Sequence, residues 1–251
     1  MQNWSQCGIL PVMKGDCAMY GDVFCRVYNE LGWNYYPEAF GEQLLAWLRE
    51  QGRGVKTALD LGCGTGVLCR ILAQQGIAAR GMDLSPGMIA IARESAPELA
   101  FDVGNMITYR PKAEFDLVTC TGDALNHIPD LQDVETILQN VYGYLAPGGL
   151  FVFDILNEKE ISDSEPFELD FDAHTRVWFQ MTCPQEKQVR LNIRVWDGEA
   201  LKCEEVIHET VHDPEVICAL MTRCGFRNIR CAHGIGENSN QAATWFITAE
   251  K

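Results

Sequence analysis

The chain is short of positive charge: among 251 residues it carries 20 Lys and Arg against 35 Asp and Glu, a formal net charge of −15. Phosphate contacts need clustered cations, so this balance argues against a nucleic-acid partner and against docking on an anionic membrane surface. Also missing is any run of about 18 apolar residues, which a membrane-spanning helix requires. The first residues lack a basic stretch followed by an apolar core, so no secretory signal is expected. The 11 cysteines are scattered singly. With no C-x-x-C pair, no metal site is expected, and several cysteines sit in apolar runs, where a free thiol acts as a small hydrophobe. Internal repeats and low-complexity linkers are absent as well. These absences favour a small-molecule substrate, no nucleic-acid or membrane partner, and a reducing, cytoplasmic setting. What remains, 47% hydrophobic and 22% charged residues, is ordinary globular composition, long enough for one domain carrying an insertion.

The chain is organised around Thr57-Ala-Leu-Asp60-Leu-Gly62-Cys63-Gly64-Thr-Gly66. An apolar run ends at an acid, three glycines alternate, and a helical pattern starts at Val67. This reads as a buried parallel strand, a tight turn and a crossover helix. Glycine permits positive φ and close approach of a ligand to the backbone, and the helix start offers free N–H groups. Nucleotide-like cofactors bind at such turns. The spacing is G-x-G-x-G rather than the G-x-G-x-x-G of dinucleotide sites, which disfavours a nicotinamide oxidoreductase.

Strand and helix alternate from 57 to 155, with further strands at 78–83, 100–103, 115–120 and 150–154, so a parallel doubly wound sheet is expected. From 166 to 212 the pattern changes to period two. There Val189, Leu191, Ile193 and Val195 fall on one side and Arg190, Asn192 and Arg194 on the other, as in an antiparallel sheet with one wet face. A helix capped by Asp213-Pro214 and two closing strands, near 228–232 and 243–249, end the chain. His208-Glu-Thr-Val-His212 spells the zinc-protease pattern H-E-x-x-H. That chemistry needs a helix to bring both histidines onto one face, whereas the β-branched neighbours favour a strand. In a strand, positions four apart lie roughly 13 Å apart, too far to chelate one metal.

Together, Asp60 with the glycine loop, Asp83-Leu-Ser-Pro-Gly-Met at the end of the next strand, Phe115-Asp-Leu-Val-Thr-Cys120, Leu145-Ala-Pro-Gly-Gly-Leu-Phe-Val-Phe153 and Cys224-Gly-Phe before the closing strands resemble class I S-adenosylmethionine-dependent methyltransferases. The resemblance is to the small-molecule type with a β insertion, and it covers about 40–155 and 213–251. It implies a Rossmann-like α/β fold: a doubly wound seven-stranded sheet, parallel with a reversed last strand. Residues 1–36 would be an N-terminal lid segment, 37–155 and 213–251 the cofactor-binding core, and 156–212 an antiparallel β insertion covering the substrate. The implied cofactor is S-adenosyl-L-methionine, released as S-adenosyl-L-homocysteine. Its methionine part would lie against Asp60, Gly62, Cys63 and Gly64, and its ribose on Asp83 and Leu84 with Met88 nearby. Gly104, Asn105 and Met106 would meet the adenine, with Asn105 standing where the family usually has an acid, while Cys120 and Thr121 would face the sulfonium.

Tyr20, Phe24, Tyr28, Trp33, Tyr35 and Tyr36 crowd one short stretch, and Tyr20, Phe24 and Tyr28 recur at helical spacing. This reads either as a helix packed on the core or as a lid closing over the site. Tyr20, Tyr36 and Asn126 are candidates for positioning the substrate, and Arg190 and Arg194 for meeting an anionic one. His127 is the candidate general base, since imidazole titrates near neutral pH. The expected activity is methyl transfer to a small-molecule acceptor by direct in-line displacement. A non-catalytic protein that binds the cofactor for regulation or assembly stays open beside it.

Overall fold

In a computed structural model of the protein, residues 20–29, 32–170, 172–235 and 243–251 are described. The expected lid over 1–36 therefore lies partly outside the described residues, as do Phe171 of an expected strand and most of the loop before the last strand. Helices α1 (Asp22–Tyr28) and α2 (Tyr35–Glu50) come first. The alternating core follows: β1 (Thr57–Leu61), α3 (Val67–Gln74), β2 (Ala78–Asp83), α4 (Pro86–Ser95), β3 (Ala100–Val103), β4 (Phe115–Cys120), α5 (Leu131–Tyr144) and β5 (Leu145–Leu156). Four strands then form the insertion, β6 (Phe167–Asp170), β7 (Thr175–Gln185), β8 (Gln188–Asp197) and β9 (Ala200–Thr210). Helix α6 (Pro214–Cys224), β10 (Arg227–Ala232) and β11 (Thr244–Glu250) close the chain.

The main sheet has the order β10-β11-β5-β4-β1-β2-β3, with β11 antiparallel to both of its neighbours and the other pairs parallel. This is the expected doubly wound sheet with a reversed last strand. Its central strands are mostly apolar because helices cover both faces: Ala58 to Leu61 and Leu150 to Ile155 are buried without a break, with Asp60 and Asp154 the only charged residues in those runs. Strand β5 starts five residues earlier than the sequence suggests, because Leu145 pairs with Phe115 before the register shifts and resumes at Leu150. The caps follow the sequence. Ser85 accepts from the Met88 N–H at the start of α4, and Asp213 from the Glu215 N–H at the start of α6. Helix α2 begins two residues before Pro37, which is tolerated because first-turn N–H groups have no partner within the helix. No helix of the described residues is long and apolar enough to cross a membrane.

The insertion forms a separate antiparallel sheet of order β6-β7-β8-β9. Its inner side packs on α1, where Phe24 and Val27 meet Val177, Ile193, Val195 and Ile207. Fully burying such a side chain is worth about 1.5–3 kcal/mol, so helix and sheet form one cover over the carboxyl ends of the core strands. Asn126 joins that cover to the core. Fully buried, it donates from Nδ2 to the Thr210 carbonyl (2.8 Å) and accepts at Oδ1 from the Leu156 N–H (3.1 Å). The expectation that Asn126 positions substrate is corrected here, since both of its polar ends are committed to backbone. Asn126→Ala would strand a buried N–H and a buried C=O, at about 1–3 kcal/mol for each unsatisfied group. A urea midpoint well below that of the parent is the expected outcome of equilibrium unfolding.

Candidate active site

Between the carboxyl ends of the core strands and the cover lies a cavity of 580 Å³, within the size range of small-molecule sites. At one end is the glycine loop. Gly62, Gly64 and Gly66 have φ of +71°, +51° and +76°, a region costly for residues with a Cβ. A Cβ on Gly66 would come within 2.8 Å of the Phe101 ring, whereas one on Gly64 would meet nothing within 4 Å. The turn is thus tight where helix packs on sheet and open where a ligand can lie. Asp83 faces it, accepting from the Gly64 N–H at Oδ2 (2.9 Å) and from the Ser85 N–H at Oδ1 (2.8 Å). Burial raises its pKa, and these N–H groups oppose the rise. Asp60 accepts from Thr119 Oγ1 (2.7 Å), and burial pushes its carboxyl up to about 7.

At the other end, the loop after β4 wraps onto Asp154, fully buried in β5. The Asp154 carboxylate accepts from the Gly122 N–H (3.0 Å), the Asp123 N–H (2.8 Å) and the Tyr36 hydroxyl. Asp123 is held at φ +55°, a conformation costing a non-glycine residue of order 1–3 kcal/mol. Asp123, His127 and Glu209 then converge, each with one ligand atom within 4.8 Å of the others. His127 Nε2 lies 3.8 Å from Asp123 Oδ1 and 3.4 Å from the Tyr20 hydroxyl. Burial drives the His127 pKa down to about 4, so the imidazole is neutral at pH 7. Burial and mutual repulsion drive the two carboxyls up. Three such groups can share a proton or hold a cation.

Tyr20, Tyr36, Asp60, Gly62, Cys63, Gly64, Asp83, Leu84, Met88, Gly104, Asn105, Met106, Thr121 and His127, all singled out from sequence, line this one cavity. Cys120 does not; it is buried within the sheet at the end of β4. Neither do Arg190 and Arg194, and their expected meeting with an anionic substrate is corrected. The same alternation that turns Val189, Leu191 and Ile193 inward turns the arginines out. Arg190 is exposed beside His208 on β9, and Arg194 lies over the Trp178 ring (4.9 Å) and pairs with Glu204 (2.7 Å). The H-E-x-x-H segment is strand up to Thr210, as expected: His208 is exposed, while His212 is buried and donates from Nε2 to the Ile128 carbonyl (2.9 Å). Sequence reasoning missed Asp123, Asp154 and Glu209. One signal was present for Glu209, an acid sharing the parity of Ile207 and Val211 on an apolar strand face.

Comparison with known proteins bears on this site. Residues 58–149 match the family described as a methyltransferase domain. YqeM of Bacillus subtilis (strain 168), a protein with a provisional methyltransferase name, is 28% identical over 240 residues, spanning 91% of this chain and 96% of its own. Residues 58–149 thus carry a methyltransferase domain, and the chain as a whole is similar to methyltransferases in sequence and in fold. Solved structures with the same fold include an S-adenosylmethionine-dependent methyltransferase from Clostridium acetobutylicum ATCC 824. It has TM-score 0.76 at 21% identity and covers 91% of this chain and 98% of its own. Another is CalS10, an amino pentose methyltransferase from Micromonospora echinaspora solved with S-adenosylmethionine bound. It has TM-score 0.71 at 22% identity and covers 92% and 98%.

The buried acids of this methyltransferase tie its stability to pH. Native Asp60 keeps its proton to about pH 7, whereas the unfolded chain loses it near pH 4. The native state therefore binds more protons between those values, and stability falls as pH rises through that window, by up to about 1.4 kcal/mol per unit from this group. Asp60→Asn, which keeps an oxygen for Thr119, is expected to flatten that part of the curve and to gain stability over the parent at pH 7. Urea unfolding of both proteins at about pH 4.5 and 7 checks it.

Proposed function

We propose that the protein transfers a methyl group from S-adenosylmethionine to a small-molecule acceptor held under the cover. The supporting observation is the continuity of the cavity: the glycine loop and Asp83 stand at one end, the Asp123–His127–Glu209 cluster and the aromatic cover at the other. The residues present fit the cofactor. Asp83, a carboxylate at the end of β2 on the cavity wall, is an acceptor suited to ribose hydroxyls. Asp60 and the turn Gly62-Cys63-Gly64, open at Gly64, suit the charged methionine end. Leu84, Met88 and Met106 offer an apolar bed for the adenine. Asn105 Oδ1 already accepts from the Ile107 N–H (2.9 Å), so its second lone pair and its amide hydrogens serve the adenine edge.

When bound, the cofactor supplies a methyl group activated by a positive sulfonium. The protein's part is alignment and exclusion of water. The lid role proposed for the N-terminal segment 1–36 and the cover role proposed for 156–212, over a core of 37–155 and 213–251, are supported by Tyr28 of α1 and by Phe179, Leu191 and Ile207 of the insertion, which line the cavity. Tyr20 and Tyr36 orient the acceptor end, and His127, which burial keeps neutral, stands beside Tyr20 there. Asp83→Ala is expected to weaken S-adenosylmethionine binding at least tenfold, since hydrogen bonds to a charged group are worth about 1.5–3 kcal/mol. Calorimetric titration tests this; unchanged affinity would remove the ribose from Asp83. Tight binding with no labelled methyl passing to a pool of small metabolites would favour the non-catalytic reading.

A further inference from the structure

Glu209 is 4% exposed, lies on the cavity wall, and accepts no hydrogen bond from any described residue. A buried carboxylate without a partner is costly, and native proteins keep such groups where a ligand completes them. Asp123 shares its surroundings: its side chain is 38% exposed, with His127 Nε2 3.8 Å from its Oδ1 and Glu209 in the same cluster. Around this pair runs an arc of aromatic rings. Tyr20 lies 6.2 Å from Tyr28, Tyr28 5.2 Å from Trp33, and Trp33 5.9 Å from Phe179, measured between ring centroids. Among the described residues, no Lys or Arg lines the cavity. Acid groups set in an aromatic wall attract ammonium groups, through charge and through the negative ring faces. The same wall repels carboxylates and phosphates.

We infer that the methyl acceptor is a small amine, received as an ammonium by Glu209 and Asp123 within the arc of Tyr20, Tyr28, Trp33 and Phe179. This rests on the cofactor reading above and deepens it. Before transfer, one N–H proton passes to the Glu209 carboxylate, exposing the nitrogen lone pair. That lone pair forms the C–N bond while the methyl–sulfur bond breaks, and the electrons of the broken bond remain on sulfur, leaving a neutral thioether. The product leaves as an N-methylammonium, and Glu209 returns its proton to solvent. Tyr20 and His127, in contact with one another beside Glu209, place the nitrogen rather than carry the proton.

Three probes of one shape separate the chemistries: cyclohexylamine, cyclohexanol and cyclohexanecarboxylate, each titrated calorimetrically into the full-length protein saturated with S-adenosylhomocysteine. The amine is expected to bind at least tenfold tighter than the other two and, with S-adenosylmethionine, to gain one methyl group by mass spectrometry. Glu209→Gln is expected to lose at least tenfold in amine affinity while its S-adenosylmethionine affinity stays within twofold. Asp123→Asn is the second variant, with the same expectation, should Glu209→Gln fail to fold. Alcohol or carboxylate binding as tightly as the amine would overturn the inference, as would amine affinity unchanged in the folded variant. Alcohol binding that becomes dominant on adding Mn²⁺ would assign the cluster to a cation and overturn it as well. Cofactor affinity is measured first on the same protein. Its absence would sink the methyl-transfer reading, while amine selectivity is judged separately from the probe titrations.

Discussion

The buried carboxylate of Asp154 holds the acceptor end of the site together. It stands at the end of an otherwise apolar strand and gathers groups from two other parts of the chain, the Tyr36 hydroxyl from α2 and two successive N–H groups after β4. Without it, those donors would be left unpaired, and the left-handed conformation of Asp123 would lose the bond to its N–H. The placement of one cavity acid is therefore enforced by another residue 31 positions later. Tyr36 extends the same constraint to α2, so that helix and the loop after β4 are tied to a single group.

This arrangement concentrates like charge. Asp60, Asp83, Asp123, Asp154 and Glu209 all line the cavity, and burial raises the pKa of each. Their mutual repulsion opposes folding, and a cationic ligand relieves it. Binding and folding are then linked, so a cationic ligand adds stability in proportion to its occupancy. S-adenosylmethionine carries such a charge at its sulfur.

The fold was largely legible from local signals. Strand ends, caps and the glycine turn are properties of neighbouring residues, which is why the core and its reversed last strand, the insertion and the place of Asp60, Gly62, Gly64 and Asp83 on one turn were readable. The other end of the cavity was not. Asp123, Asp154 and Glu209 come from a loop, a core strand and an inserted strand, and only tertiary pairing unites them. Glu209 was hidden further by its place in a pattern that draws attention to the flanking histidines. Asn126 and the two arginines went astray because residue type was read without partners: the amide was already committed to backbone, and strand parity set the arginines outward.

The two bonds of Asn126 join the residue where the chain leaves the core, Leu156, to the residue where it comes back, Thr210. One side chain after β4 thus closes the base of the insertion, holding the strand that enters it and the strand that leaves it in fixed register with the core. The same short segment carries Asp123 and His127, so whatever shifts the root of the insertion shifts the cavity wall with it.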